Sequence, residues 1–381
     1  MLELRKIITG WAIVFSMFCL CVPAALAENA RFVFVGPDTA MLAREVKGAG
    51  GSISHGLRYY RGFVANLPRV AAEKLARKYA GTALIEEDIE VFASAANKAA
   101  KSAPPPPAEE TPWGIDAIQA PDAYTYSSGL GVTVCVVDTG IQGTHPDLAG
   151  AVVGGENFVV ARGKIDPTKW SDDNGHGTHV SGIIAAREND KGVVGVAPAA
   201  SLFAAKVLDK NGSGYTSAVA DGIISCVEHG AQVINMSLGS AADSKVMHDA
   251  VSYASEKGLI LVAAAGNESG GVSYPARYLE VLAVSAVDAN LDFAWFSNFG
   301  PEIAFAAPGV AINSTYLGST YKVLSGTSMA APHVAGVAAL MLSPDSQGML
   351  LRAQEIFGLD SDHQGAGLIN ALDTVLNQTS P

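Results

Sequence analysis

Three short stretches of this chain carry side chains able to do nucleophilic chemistry. Ser328 stands in Gly326-Thr327-Ser328-Met329-Ala330, a tight turn running into an apolar stretch that reaches Met341. That pattern places its hydroxyl at the mouth of a buried helix, free to attack. Asp138 closes the apolar run Val134-Cys135-Val136-Val137 and is followed by Thr139-Gly140. His176 lies in Asn174-Gly175-His176-Gly177-Thr178-His179-Val180, opening another run of small residues. Brought together, the imidazole would take the serine proton and the carboxylate would orient and stabilise the imidazolium. Singly, an Asp at a strand end is usually a cap and a Ser usually inert. The inference rests on all three occurring in one chain, each flanked by glycine that lets backbone approach a substrate closely.

The elements that must position them are apolar runs without alternation, at 132–137, 201–207, 233–236, 260–264 and 281–284. Helical patterns at 179–186, 215–228 and 244–255 lie between them. Continuous apolar strands alternating with helices predict an α/β fold, a central parallel sheet with helices on both faces. This unit is expected to span 111–381.

Ahead of it, 28–93 has its own pattern. Strands are predicted at 31–35, 51–54 and 62–66, a closing strand at 84–91, and helices at 40–47 and 70–79. That β-α-β-β-α-β order is the ferredoxin-like α+β motif. Residues 94–110 turn to Ala, Ser, Lys and Pro and read as a linker with a semi-rigid proline run. Residues 1–27, with Arg5 and Lys6, an apolar middle and Ala25-Leu26-Ala27, read as a secretory signal peptide cut after Ala27. A transmembrane anchor is disfavoured because the run is short and ends at Pro23. The expectation is export, to the medium or to a periplasm, without a membrane anchor.

Of 381 residues, 49% are hydrophobic and 16% charged, and the net charge of -12 argues against nucleic acid as a partner. The charge is uneven: residues 1–103 carry 13 basic and 9 acidic side chains, and 104–381 carry 12 and 28. Opposite signs favour association of the two parts. Past the leader only Cys135 and Cys226 remain, read as two buried thiols packed as small hydrophobes, with a disulfide left open. His179 is three residues from His176, but the His-Glu-x-x-His zinc pattern is absent, so His145, His179 and His333 read as structural.

On Asp138-Thr139-Gly140, His176-Gly177-Thr178-His179 and Gly326-Thr327-Ser328-Met329-Ala330, in that order, the chain resembles the subtilisin-like serine proteases. The likeness covers 31 to about 375, and the N-terminal unit is similar to the family's inhibitory propeptides, down to Glu86-Glu87-Asp88. The resemblance implies an endopeptidase acting on protein and peptide substrates, self-maturing and monomeric, with its propeptide as intramolecular inhibitor and folding aid. It implies an oxyanion-stabilising role for Asn267, and strand-like substrate binding between Gly212-Ser213-Gly214 and Ser237-Leu238-Gly239. Ala264, Gly266 and Ser273 would line a primary pocket with Glu268 at its rim, favouring cleavage after large apolar residues and tolerating Lys.

The resemblance also implies a structural Ca²⁺ held by the Asp147 and Asn189 side chains and the carbonyls of Arg187, Lys191 and Val193, with Glu109 where the family usually has Gln. A second site would use carbonyls of Ala276, Tyr278 and Val281. The maturation cut is confined only to the interval between Phe92 and Glu110. Two other readings stand beside this one. A silent binding scaffold would keep the fold without turnover, and an α/β esterase would need a Gly-x-Ser-x-Gly elbow whose second Gly is missing here.

Overall fold

The computed structural model describes residues 28–94, 103–104, 108–161 and 163–378. The expected leader and most of the proline-rich linker lie outside them. The first unit comprises β1 (Asn29–Val35), α1 (Thr39–Gly48), β2 (Ser52–Gly56), β3 (Gly62–Pro68), α2 (Arg69–Lys78) and β4 (Leu84–Glu87). Its sheet, ordered β2-β3-β1-β4, is antiparallel wherever strands pair. Alternation along the strands buries both faces. Phe32, Phe34, Phe63, Ala65 and Leu67 pack with Leu42, Val46, Ala72 and Leu75 of the two helices. Val33 and Val64 face the other way and join the core of the larger unit.

The closing strand expected over 84–91 is not one strand. It breaks at Asp88, and β5 (Glu90–Ala93) leaves the first sheet for a separate one. The cause is the buried Asp88 carboxylate, which accepts from Ser217 N–H (2.9 Å), Ser217 Oγ (2.8 Å) and Arg31 Nε (2.6 Å), turning the chain toward the larger unit.

That unit starts with two short helices, α3 (Trp113–Ala117) and α4 (Ala120–Ala123). Then follow β6 (Thr133–Asp138), β7 (Val152–Asn157), α5 (His176–Ala185), β8 (Ser201–Lys206), β9 (Ser213–Tyr215) and α6 (Thr216–Glu228). Next come β10 (Val233–Met236), β11 (Leu238–Gly239), α7 (Lys245–Glu256), β12 (Ile260–Ala264), β13 (Val281–Val287) and β14 (Ile303–Pro308). The chain ends with the hairpin β15 (Ile312–Tyr316) and β16 (Thr320–Leu324), α8 (Thr327–Leu342), β17 (Arg352–Gln354), α9 (Ser361–Gln364), β18 (Leu368–Asn370) and α10 (Ala371–Leu376). Nine strands form one sheet, β17-β18-β14-β13-β12-β10-β6-β8-β7, parallel except at the β17–β18 edge.

Alternate residues of its central strands enter different cores. Val134 and Val136 face the side holding α5 and α8, whereas Cys135 and Val137 face α6 and α7. Both faces are therefore apolar, which is why the runs lack alternation. On the second face the two cysteines are not free thiols as expected. Cys135 and Cys226 are joined, with S–S 2.06 Å and Cα–Cα 5.7 Å, because α6 lays Cys226 over the covered face of β6. Two helix starts also differ from expectation. α5 begins at His176 itself and α8 at Thr327, so both chemical residues sit in first turns. No helix among the described residues is long and apolar enough to cross a membrane.

Candidate active site

Asp138, Ser237 and Asn267 follow or end parallel strands β6, β10 and β12 at their carboxyl ends, where open α/β sheets bind ligands. His176 Nδ1 lies 2.8 and 2.9 Å from the two oxygens of Asp138, a carboxylate fully shielded from water. Burial alone would lower the imidazole pKa, but the Asp138 charge and hydrogen bond outweigh it, so His176 is held above its ordinary value. His176 Nε2 is buried with no hydrogen-bond partner.

The turn bearing this pair is built around Asp172, a residue the sequence reading missed. Its carboxylate accepts from Thr139 Oγ1 (2.9 Å), the amides of Asn174, Gly175 and Thr178 (2.9 Å each) and Thr178 Oγ1 (2.7 Å). It thereby caps α5 and ties the His176 turn to the Asp138 turn. Ser171-Asp172-Asp173-Asn174 ahead of a helix was the available cap signal. Lys206 adds a second tie, donating to the Thr139 carbonyl and pairing with Asp173 at 2.6 Å.

Ser328 is fixed by a different device. Pro332 lies inside α8 and has no N–H, which leaves the Ser328 carbonyl without its helical donor. Ser237 Oγ takes that place at 2.9 Å, and Asn235 Nδ2 in turn donates to Ser237 Oγ at 2.9 Å. The Ser328 hydroxyl itself donates to the Ser237 carbonyl at 2.9 Å rather than to His176. Asn267 turns its side-chain oxygen to Thr327, accepting from the amide at 2.9 Å and from Oγ1 at 3.1 Å, which directs its NH₂ away from Thr327.

β5 runs antiparallel between β9 and β11, pairing Val91 with Gly214, Phe92 with Ser213 and Gly239, and Ala93 with Leu238. The two segments expected to grip a peptide thus hold the chain's own strand. Val91 is wholly buried and Phe92 half exposed, so alternate side chains point in and out. Ala93 N–H donates to the Gly212 carbonyl at 2.9 Å.

Beside the strand end lies a cavity of about 780 Å³ whose walls include Ser94, Gly239, Glu268, Ser273, Arg277 and Asn298. Ser273 is one of the lining residues. Gly266 sits behind, where a Cβ would meet Asn298 Nδ2 at 2.2 Å and Glu268 Oε2 at 2.7 Å, while Ala264 is in the core rather than on the wall. Asn298, missed from sequence, organises the wall. It donates to Glu268 Oε2 (2.8 Å) and the Ala265 and Gly271 carbonyls, and accepts from the Glu268 and Gly270 amides. Glu268 is exposed on this wall, consistent with a rim position.

At the far end of α5, Asp147 is wholly buried. It accepts from Val193 N–H and Tyr321 OH at 2.9 Å each, with Asn189 Nδ2 at 3.4 Å. Asn189 Oδ1 is buried without a partner, and Glu109 accepts from the Asn189 amide at 2.7 Å. An orphaned amide oxygen beside a buried carboxylate fits a hard cation that takes oxygen ligands. Among the described residues no group of three or more His, Cys, Asp or Glu could hold a metal, so this loop would have to rely on amide and carbonyl oxygens. The second suggested site is less suited, because the Tyr278 carbonyl already accepts Val281 N–H at 3.1 Å. The other buried histidines bond backbone: His145 to Thr320, His179 to Ile312 and Lys322, His333 to Met329. Burial lowers all three, His179 to about 3 and His333 to about 4.

The family profile that matches residues 129–356 is the subtilase family. The thermostable alkaline protease of Halalkalibacterium halodurans is 52% identical over 237 residues, 62% of this chain and 63% of its own length. The chain thus spans just under two thirds of that relative. M-protease of Shouchella clausii is 45% identical over 295 residues, 75% of this chain and 72% of its own. Subtilisin Savinase of Lederbergia lenta is 46% identical over 272 residues, 69% and 98% respectively.

Proposed function

This chain belongs to the subtilase family and is a serine endopeptidase of the subtilisin kind, and on that premise we propose that Asp138, His176 and Ser328 form its catalytic triad in a secreted, self-maturing precursor. The observation that carries the reading is the buried His176–Asp138 pair, with an unpartnered Nε2, at the start of α5, which packs against α8, the helix whose first turn holds Ser328. Ser328 Oγ attacks the substrate carbonyl carbon as its proton passes to His176, and the imidazolium is stabilised by Asp138. The oxyanion forms at the N-terminus of α8, where the Ser328 amide and the Asn267 side chain donate to it. His176 then protonates the leaving amine, and water releases the acyl group by the reverse route.

Substrate binds as the middle strand between 212–214 and 237–239, so backbone pairing supplies affinity and the cavity beside Ser273 supplies selectivity. An open, mostly uncharged cavity suits large apolar residues, with Glu268 able to meet a lysine. In the precursor the N-terminal unit, acting as an inhibitory propeptide, occupies that groove. Its acids cap two helices: Asp88 takes α6, while Glu86 accepts from Ser244 Oγ and the amides of Lys245 and Val246 on α7. Ca²⁺ would be held by Asp147, Asn189 and the carbonyls of Arg187, Lys191 and Val193, and would brace the loop after α5. The test is the Ser328→Ala variant, which should accumulate uncut precursor and hydrolyse no peptide. Normal hydrolysis by that variant would remove the reading.

A further inference from the structure

We propose that the maturation cut falls at Ser94–Ala95. The inference rests on the triad reading above and deepens it by naming the first bond this site cuts. Within 90–110 the chain meets the candidate nucleophile at one described carbonyl. Ser94 O accepts the Ser328 amide N–H at 3.3 Å, the donor expected to stabilise an oxyanion, and Ser94 N–H donates to the Ser237 carbonyl at 3.2 Å. Ser237 O also accepts the Ser328 hydroxyl at 2.9 Å, so the nucleophile and the Ser94 amide converge on one acceptor. Upstream, β5 fixes the register through its pairs with β9 and β11. Val91 sets that register, since its side chain is wholly buried while Phe92 is half exposed. Downstream, Ala103 exchanges two hydrogen bonds with Tyr321 (2.8 and 2.9 Å), and Glu110 bridges to Val193. Those two points are docked on strand β16 and on the loop after α5.

In the reaction Ser328 Oγ bonds to the Ser94 carbonyl carbon and the C–N bond to Ala95 breaks. The serine proton reaches the Ala95 amine through His176, and water then frees Ser94 as a carboxylate. The occupant of the pocket is a serine whose Oγ lies near Gly239, and a Cβ on that glycine would be 3.5 Å from it, so the large cavity is left mostly unfilled. Register, rather than pocket filling, selects this bond.

The experiment follows purified full-length precursor, diluted so that cutting between molecules is slow, and identifies both new ends by mass spectrometry at the earliest detectable conversion. The expected result is a first fragment ending Phe92-Ala93-Ser94, a partner beginning at Ala95, and a fractional rate independent of concentration. Ala95→Pro, which replaces the leaving amine by an imino nitrogen, should slow conversion at least 100-fold while a sulfonyl fluoride still labels Ser328. A first cut elsewhere with Ser94–Ala95 intact overturns the assignment but leaves the protease reading standing. Absence of both cutting and labelling removes the protease reading and this inference with it.

Discussion

The site around Ser328 is buried and the surface joining the N-terminal unit to α6 and α7 is only partly so, and they are built in opposite ways. The site draws on short local motifs. Asp138, His176 and Ser328 each sit at the end of a strand or the start of a helix; Asp172 and Pro332 support them from close by in sequence, and only Ser237, with Asn235 behind it, braces Ser328 from far along the chain. The docking surface has no motif. It joins Glu86, Asp88, Arg58 and Tyr59 to groups more than ninety residues away: Ser244, Ser217, Glu156 and Asp221. Arg58 Nε lies 2.5 Å from Glu156, Tyr59 OH donates to Glu156 at 2.8 Å, and the amides of Arg58 and Tyr59 donate to Asp221 at 2.8 and 3.0 Å. Chemistry is concentrated in one cluster, whereas docking is spread over several modest contacts. Single substitutions should therefore be decisive in the first region and graded in the second.

The largest effect expected is in the cluster. Asp138→Asn should lower kcat by about 10⁴, since the imidazole loses the group that fixes its tautomer and raises its pKa. The wild-type profile should rise with pH through a value above that of ordinary histidine, because only neutral His176 is a base. In steady-state assays a loss under tenfold would mean that the pair is structural. Next comes the Asp147 loop. Chelation should lower the melting temperature of wild type by several degrees and leave Asp147→Asn, already lower, unmoved. Equal shifts in both proteins would take the cation away from this loop.

On the docking surface, Glu86→Ala and Asp88→Ala should each weaken binding of the N-terminal unit, supplied in trans to the mature enzyme, about fivefold. That corresponds to a helix cap worth about 1 kcal/mol. Inhibition constants measure it, and a thousandfold loss from either would show that docking, too, is concentrated. The smallest effect is electrostatic. Burial, against the Arg58 and Tyr59 amides, raises Asp221 from 3.8 to about 6. A raised carboxylate favours the folded precursor fully below its unfolded value and loses that contribution as pH rises through the folded one. Between about pH 4 and 6 the melting temperature of the Ser328→Ala precursor should fall with a slope that Asp221→Asn flattens. An unchanged slope would exclude this carboxylate.

The same contrast explains what the sequence disclosed. Runs such as 233–236 and 260–264 announced a sheet covered on both faces, and the order of its motifs announced the cluster. The break at Asp88 was hidden because 84–91 keeps the composition of a strand, and the partners that hold the Asp88 carboxylate, Ser217 and Arg31, are distant in sequence. The Cys135–Cys226 bond was hidden because pairing depends on where α6 lies over β6, which spacing does not encode. Asn298 was invisible for the same reason: its five hydrogen bonds to 265–271 exist only once β12 and the loop before β14 are brought together. Ala264, like Ala263 and Ala265 beside it, packs in the core, because both faces of β12 are covered.

The central claim is that Asp138, His176 and Ser328 act as one unit, and it is tested most directly by mapping the adduct of a sulfonyl fluoride on the mature protein. The account predicts a single adduct on Ser328, formed far more slowly in Asp138→Asn and undetectable in His176→Ala. Labelling of Ser328 in His176→Ala at the wild-type rate, or inactivation with Ser328 unmodified, would contradict it.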